Sequence, residues 1–270
     1  ADQNYNQGKE FNGVLGIEEY KAPDFATDSW STIIANVKAG NGSEYAVGST
    51  KEVDLGTTYG THTLRVANTS TPSECSTAGF SQTACGFVLE FTDIITARNM
   101  NPAGTYNGTQ YENGWNKDGW PASSMYTFVN NDIYNAIPSE IKNAIIDTTV
   151  VSGHGNTSGE TNFTSTDKLY LLAPKEIYAN WSDHDDTARD KTRQLDYYNS
   201  KGVTKNSKGV TKNSYASAIK KNSEGTAVWW WLRCAFSSDY GGFYSVNDYG
   251  AQGYSNADYS SGVSPAFRIG

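Results

Sequence analysis

Residues 237–264 place the strongest constraint on the fold, because they are too polar to build a core and too many to form one simple turn. Of these 28 residues, 22 are Tyr, Ser, Gly, Asp or Asn. The tyrosines recur every four or five positions, which matches neither one face of a helix nor one face of a strand. We call residues 237–264 the C-terminal tail and expect it to lie at the surface as strands and turns.

The composition of the C-terminal tail is that of an antibody combining site. Tyrosine supplies contact area at low entropic cost, whereas Ser, Gly and Asn supply adaptable hydrogen bonds. The run VWWWL at residues 228–232 precedes the tail and predicts a buried strand. The few apolar residues of the tail are spaced like anchors for an exposed surface; they are Phe243, Val246, Ala251, Ala257 and Val263. The plainer alternative is a loop of the same composition with no special role.

The rest of the chain predicts short strands around a helical middle. Strands are predicted at residues 44–47, 50–55, 63–66, 86–91, 148–151, 168–172, 243–246 and 263–269. Helices are predicted at residues 32–39 after a cap at Asp28 or Ser29, at residues 121–137, and from Pro138 onward. This order indicates an α+β domain over residues 28–270, preceded by an arm or linker at residues 1–27.

Charge and composition exclude some classes of partner. The net charge is −8 and no basic stripe occurs, which argues against nucleic acid and anionic membranes as partners. No apolar run is long enough to predict a membrane span, and the polar opening residues do not predict a signal peptide. The many Asn, Ser, Thr, Gly and Tyr residues favour an extracellular location.

The three cysteines predict one local disulfide. Cys75 and Cys85 flank a turn-rich stretch and could form a bridge, whereas Cys234 follows an apolar run and is expected to be buried. None of His62, His154 and His184 has the spacing of a metal ligand, and the acidic stretch around His184 is expected to be a solvated loop.

The frame of the tail resembles that of a known group of proteins. The stretches VWWWLRC, FYSVND and GVSPAFRIG resemble the C-terminal segment of bacterial and phage surface domains with a C-type-lectin-like, formylglycine-generating-enzyme-like fold. Part of that group are the variable proteins of diversity-generating retroelements. Blocks at residues 30–33, 63–68, 119–123 and 167–172 extend the resemblance to residues 28–270. It implies an α+β, C-type-lectin-like fold with short antiparallel strands around two central helices.

The resemblance also divides the tail into frame and displayed positions. Mutagenesis at the adenines of Asn codons cannot produce Trp, Met, Lys, Glu or Gln, and Gln252 alone in the tail is of those types. The implied frame is Trp229, Trp230, Trp231, Leu232, Arg233, Phe243, Val246, Gly250, Ala257, Gly262, Val263, Pro265, Phe267 and Arg268. The implied ligand-binding positions are Ser238, Asp239, Tyr240, Tyr244, Ser245, Asn247, Asp248, Tyr249, Tyr254, Ser255, Asn256, Asp258, Tyr259 and Ser260.

The function that follows from the resemblance is binding and not catalysis. We expect a protein at the surface of a cell or virion whose diversified tail binds protein or glycan targets on another cell or particle. No cofactor is expected; calcium has weak support from Asp239, Asp248, Asn256 and Asp258, since the sugar-binding tripeptide EPN is absent. The alternatives are a non-diversified structural or adhesive domain of a bacterial envelope and, remotely, an oxidase of the formylglycine-generating type, which needs two C-terminal cysteines.

Overall fold

The computed structural model describes residues 21–106, 109–111, 115–181, 191–204 and 216–270. Its short helices and mainly antiparallel sheets confirm the α+β class. The first sheet has the strand order β1 (Thr50–Asp54), β2 (Thr61–Asn68), β3 (Val88–Phe91), β15 (Ala266–Arg268). The second has the order β13 (Gln252–Asn256), β12 (Gly242–Val246), β11 (Trp230–Ala235), β14 (Ser261–Val263), β4 (Thr96–Arg98).

Three strand pairs complete the described sheets. They are β5 (Gly104–Tyr106) with β6 (Thr109–Tyr111), β7 (Thr148–Ser152) with β8 (Phe163–Asp167), and β9 (Lys220–Lys221) with β10 (Ala227–Val228). Among the described strands, every pair is antiparallel except β11 and β14, which run parallel where Trp230 faces Gly262.

The helices are short. They are α1 (Trp30–Lys38), α2 (Gly56–Tyr59), α3 (Gly119–Ala122), α4 (Ser124–Phe128), α5 (Tyr134–Ala136), α6 (Ser139–Lys142), α7 (Pro174–Ile177) and α8 (Asp196–Ser200). The predicted cap of α1 is confirmed, because the Ser29 hydroxyl accepts a hydrogen bond from the Thr32 N–H. After α1 the chain turns at Gly40, whose φ of 84° suits glycine.

The helix predicted over residues 121–137 is not one continuous helix. Ser123 ends α3 and caps α4 by accepting from the Tyr126 N–H, and a π-helical turn at Val129–Ile133 separates α4 from α5. The apolar positions that suggested the helix are nevertheless buried, since each short piece keeps its apolar side toward the core.

Two predicted strands are wrong. In residues 44–47, Glu44 ends a 3₁₀ turn at Gly42–Glu44 and the next three residues form no strand. Residues 168–172 contribute one isolated bridge, from Tyr170 to Ala266. Strand β8 was not predicted, because its sequence FTSTD is mostly polar and its alternate side chains face solvent. Part of the predicted arm lies within the described residues, and there Phe25 is buried against Trp30, Tyr45 and Phe87.

Aromatic and apolar side chains build the core. Trp230 and Trp231 are fully buried, as the apolar run predicts, and their indole N–H groups donate to the carbonyl oxygens of Ala218 and Arg98. The disulfide between Cys75 and Cys85 is present, and Cys234 is buried. Both predictions about the cysteines are therefore confirmed.

Candidate ligand-binding surface

The C-terminal tail forms a β-hairpin, a turn and a third strand. Strands β12 and β13 pair in continuous register from Gly242 and Asn256 to Val246 and Gln252. The tail then turns and returns as β14, which lies between β11 and β4. The tail is thus part of the five-stranded sheet and not a loop attached to it.

The hairpin tip is held by its own side chains and by the body of the protein. The Asn247 carboxamide oxygen accepts hydrogen bonds from the N–H groups of Tyr249 and Ala251, at 2.9 and 3.1 Å. Gly250 has a φ of 83°, a conformation that side chains disfavour. The Tyr178 hydroxyl donates to the Gly250 carbonyl at 2.7 Å, which ties the tip to the core.

Most of the anchor residues of the tail are buried as predicted. Phe243, Val246, Ala257 and Val263 are fully buried, and Ala251 is half-buried against the core. Burying these side chains stabilises the hairpin by the transfer of apolar surface from water. The backbone of the tail is therefore fixed independently of the residues that it exposes.

Four tyrosines of the tail are exposed. Tyr240, Tyr249, Tyr254 and Tyr259 have 47, 42, 52 and 57% of their surface accessible. Exposed tyrosines supply a large contact area at low entropic cost, which suits an interaction site. The rings are also held in place: Tyr240 stacks on Trp115 at 5.4 Å, and Tyr254 stacks on Phe236 at 4.0 Å.

An open groove of about 1170 Å³ lies beside the hairpin. Six of the predicted binding residues line it, namely Asp248, Tyr254, Ser255, Asn256, Tyr259 and Ser260. We call it the tail groove. Its remaining lining residues are Ile94, Ile95, Thr96, Ala97, Asn222, Ser223, Ala227, Val228, Trp229, Gln252, Gly253, Ser261 and Gly262.

The other predicted binding residues lie outside the lining of the tail groove. Ser238 and Tyr240 are exposed and Asp239 is half-buried in the turn before β12, where the chain contacts Asn116. Tyr249 is exposed at the hairpin tip, and Asp258 is half-buried in the turn after β13. The surface therefore has two parts, the tail groove and a patch around the Trp115–Tyr240 stack.

Two predicted binding residues are not displayed. Tyr244 and Ser245 are buried, because both faces of β12 are covered. The ring of Tyr244 packs edge-to-face on Trp181 and Phe236, with ring centroids 4.9 and 5.3 Å apart. These two positions belong to the frame.

Two further positions use their side chains to hold the backbone. The Asp239 carboxylate accepts from the N–H groups of Gly241 and Gly242, at 2.9 and 2.8 Å, and Asn247 holds the hairpin tip. Asp and Asn are common in turns for this reason. A change at either position alters local folding as well as the exposed surface.

Trp229 is a binding-surface residue that the sequence did not reveal. It was assigned to the frame, yet 40% of its surface is exposed and it lines the tail groove beside Gly253. Strand alternation does not signal this, because Trp229 lies between β10 and β11 and the two tryptophans that follow it are both fully buried. Ile94 and Ile95, far from the tail in sequence, carried no signal either.

A buried ionic cluster supports the wall of the tail groove. Lys220 in β9 donates to the Glu90 carboxylate at 3.0 Å and to the Ser264 hydroxyl at 2.9 Å, and its ammonium lies 4.4 Å from the centre of the Trp230 ring. Burial alone would raise the pKa of Glu90, but the positive charges of Arg65 and Lys220 lower it below its ordinary value. The cluster fixes β9 and the hairpin that it begins.

The described residues show neither a metal cluster nor a membrane span. Across the described ranges, no three His, Cys, Asp or Glu side chains lie close enough together to hold a metal ion. The acidic stretch around His184, expected to be a solvated loop, lies outside the described residues. None of the described helices is long and apolar enough to cross a membrane.

One family model matches the chain. Residues 90–270, which include the whole C-terminal tail, match the model described as a domain of unknown function, DUF6273. The comparison with curated proteins gave no match, and neither did the comparison with solved structures.

Proposed function

Because the chain belongs to the DUF6273 family, we propose from the geometry of its tail that it is a ligand-binding protein and not an enzyme. The observation that carries the proposal is the separation of two sets of side chains in the tail. Four of the five anchors are fully buried, whereas Tyr254, Tyr259 and polar residues of the tail line an open groove of about 1170 Å³. Rigid aromatic side chains on a fixed backbone are suited to binding with little loss of entropy.

We further propose that the fold is C-type-lectin-like and that a retroelement diversifies the tail. The α+β architecture and the buried frame around a surface hairpin support this reading. The ligand would be a protein or glycan on another cell or particle. The disulfide between Cys75 and Cys85 supports an extracellular site, at the surface of a cell or virion, since disulfides persist in oxidising compartments.

Two observations weigh against oxidase chemistry. Cys75 and Cys85 are joined to each other, and Cys234 is buried in β11. An oxidase of the formylglycine-generating type needs two cysteines close together near the C-terminus. The arrangement of the cysteines therefore favours binding.

The test of diversification is the DNA around the gene. We expect a second copy of codons 229–268 that differs mainly at adenines, near a gene for a reverse transcriptase. If neither is present, the tail is a fixed surface and the adhesive or structural alternative takes its place.

The test of the binding surface is tolerance to substitution. A library randomised at Tyr240, Tyr249, Tyr259 and Ser260 should contain mostly folded members, because these side chains are exposed. A matched library at buried positions of the same hairpin, Phe243, Tyr244, Ser245 and Val246, should contain few. Surface display read with a conformation-specific antibody measures both. If the two libraries contained equal fractions of folded members, the division of the tail into displayed positions and frame positions would be wrong.

A further inference from the structure

Within the described residues, one edge of the five-stranded sheet is open along β13. Among the described strands, β13 pairs with β12 alone, and it is the first strand in the sheet order. All five of its residues are at least partly accessible. An open strand edge presents unpaired main-chain N–H and C=O groups, which another strand can bind.

The register shows which main-chain groups point outward. At the hairpin end, the Asn247 N–H donates to the Ala251 carbonyl at 2.9 Å, so this pair is hydrogen-bonded. Bonded and non-bonded pairs alternate along an antiparallel ladder. The N–H and C=O groups of Gln252 and Tyr254 therefore point away from β12, and within the described part of the chain no hydrogen bond reaches them.

The tail groove runs along this edge. On one face of β13 the Tyr254 ring stacks on Phe236, and on the other Trp229 lies so close to Gly253 that a Cβ there would be 2.9 Å from the indole. Residues from both faces line the same groove. The groove thus includes the edge between the two faces, where the outward main-chain groups lie.

Strand β13 lacks the features that usually protect an edge. Natural edge strands carry lysine, proline, inward charges or bulges that prevent pairing with another chain. The sequence of β13 is QGYSN, which has neither charge nor proline, and its register with β12 has no bulge. As far as the described part of the chain shows, this edge is therefore open to an added strand.

We propose that the tail groove receives an extended polypeptide segment, which pairs with β13 as an added strand. This inference rests on the proposed function and specifies its class of ligand. Outward N–H and C=O groups on every second residue repeat at about 6.8 Å, a spacing that a polypeptide strand matches and a glycan does not. Side chains of the segment would alternate between the side of Trp229 and the side of Phe236.

Charge specifies the segment further. Asp248 is the one charged side chain among the described residues that line the tail groove, and the whole chain carries a net charge of −8. The exposed indole of Trp229 also offers a face to a cation. The segment that fits is therefore basic, with Lys or Arg at one of the alternating positions.

The first experiment selects linear random peptides on the full chain. Enriched peptides should be basic, and each is then made with a single N-methyl group at successive backbone positions. We expect alternation, with affinity lost about tenfold or more where the methyl group faces β13 and kept at the positions between. Amide hydrogen exchange should show new protection at Gln252 and Tyr254 in the complex.

The second experiment uses a matched pair of variants. Tyr254→Pro removes an outward N–H that makes no bond to β12, and proline is tolerated on an edge strand in this position. Tyr254→Ala removes the ring but keeps the N–H. Both should fold, and the proline variant should bind the selected peptide about tenfold or more weakly than the alanine variant.

The outcomes distinguish strand addition to β13 from the proposed binding surface of exposed tyrosines. Peptides that bind without alternation, and without protection at Gln252 and Tyr254, overturn strand addition, as does a failure to enrich linear peptides. If such peptides lose affinity in Tyr240→Ala/Tyr259→Ala, the proposed binding surface survives while strand addition fails. If both the affinity and the alternating pattern are unchanged in that variant, strand addition holds and the role of the exposed tyrosines is refuted.

Discussion

Arg233 and Glu176 form a double hydrogen-bonded ion pair in the interior of the protein. The two guanidinium–carboxylate distances are 2.8 and 2.7 Å, and both side chains are fully buried. The same guanidinium donates to the carbonyl oxygens of Val151 and Leu171. Arg233, one of the residues of the implied frame, thus joins β11 to α7, β7 and the segment before α7.

Removing one partner of this ion pair should destabilise the protein strongly. Arg233→Met leaves the Glu176 carboxylate buried without its counter-charge, which should lower the free energy of unfolding by about 3–5 kcal/mol. Urea denaturation measures the change. The double variant Arg233→Met/Glu176→Leu is the control, and it should recover part of the loss. A double variant as unstable as the sum of its singles would contradict this account.

Adjacent tryptophans should respond differently to the same substitution. Trp230→Ala creates a cavity under the Lys220 ammonium and should lower the free energy of unfolding by about 3–5 kcal/mol. Trp229→Ala removes a side chain that lines the tail groove and should cost less than about 1 kcal/mol. Thermal and urea unfolding of both variants provide the comparison. Similar losses would show that Trp229 belongs to the core.

A buried carboxyl group should make stability depend on pH. Burial raises the pKa of Asp167 to about 6, although the hydrogen bond from the Trp120 indole opposes this. Between pH about 3.8 and about 6, the folded protein holds a proton on Asp167 that the unfolded chain releases. The contribution of Asp167 to the free energy of unfolding is therefore greatest below this window and declines as the pH rises through it.

The matching variant is Asp167→Asn, whose side chain can still accept from Trp120 but does not titrate. In this variant, the free energy of unfolding should no longer show the decline that Asp167 causes across this pH window. The control variant Asp132→Asn, changed at an exposed position, should keep that decline. An unchanged slope in Asp167→Asn would assign the pH dependence to other groups.

The disulfide should contribute stability through the loop that it closes. Replacing Cys75 and Cys85 with serine frees a loop of about ten residues in the unfolded chain, which should cost about 2–3 kcal/mol. The wild-type protein should lose the same amount when reductant is added, whereas the double variant should not respond. Equal sensitivity of both proteins to reductant would point to a different cause.

The sequence predicted the surface character of the tail better than its individual positions. The spacing of the anchors was informative because the apolar side chains of Phe243 and Val246 are stabilised by burial in the core and not by exposure to water. The burial of Tyr244 depends on Trp181 and Phe236, which pack against its ring. Because Trp181 is distant from the tail in sequence, the composition of the tail does not encode this contact.

The predicted helical middle illustrates the same limit. Apolar spacing placed Met125 and Ile133 correctly in the core, but it averages over breaks in the helix. The new start at Ser123 and the π-helical turn at Val129–Ile133 change the backbone without changing that average. Likewise, Ile94 lines the tail groove because β4 joins the sheet through β14, a contact distant in sequence.

The pairing of Arg65 with Glu90 bears on where the folding unit begins. The family match starts at residue 90, in the middle of β3, yet β3 is hydrogen-bonded to β2 and Glu90 is neutralised by Arg65 at 2.7 Å. A fragment starting at residue 90 would retain the Glu90 carboxylate without Arg65 and would uncover one side of β3. The unit that can be expressed, exchanged between proteins or inherited as a stable module therefore includes residues before the family boundary.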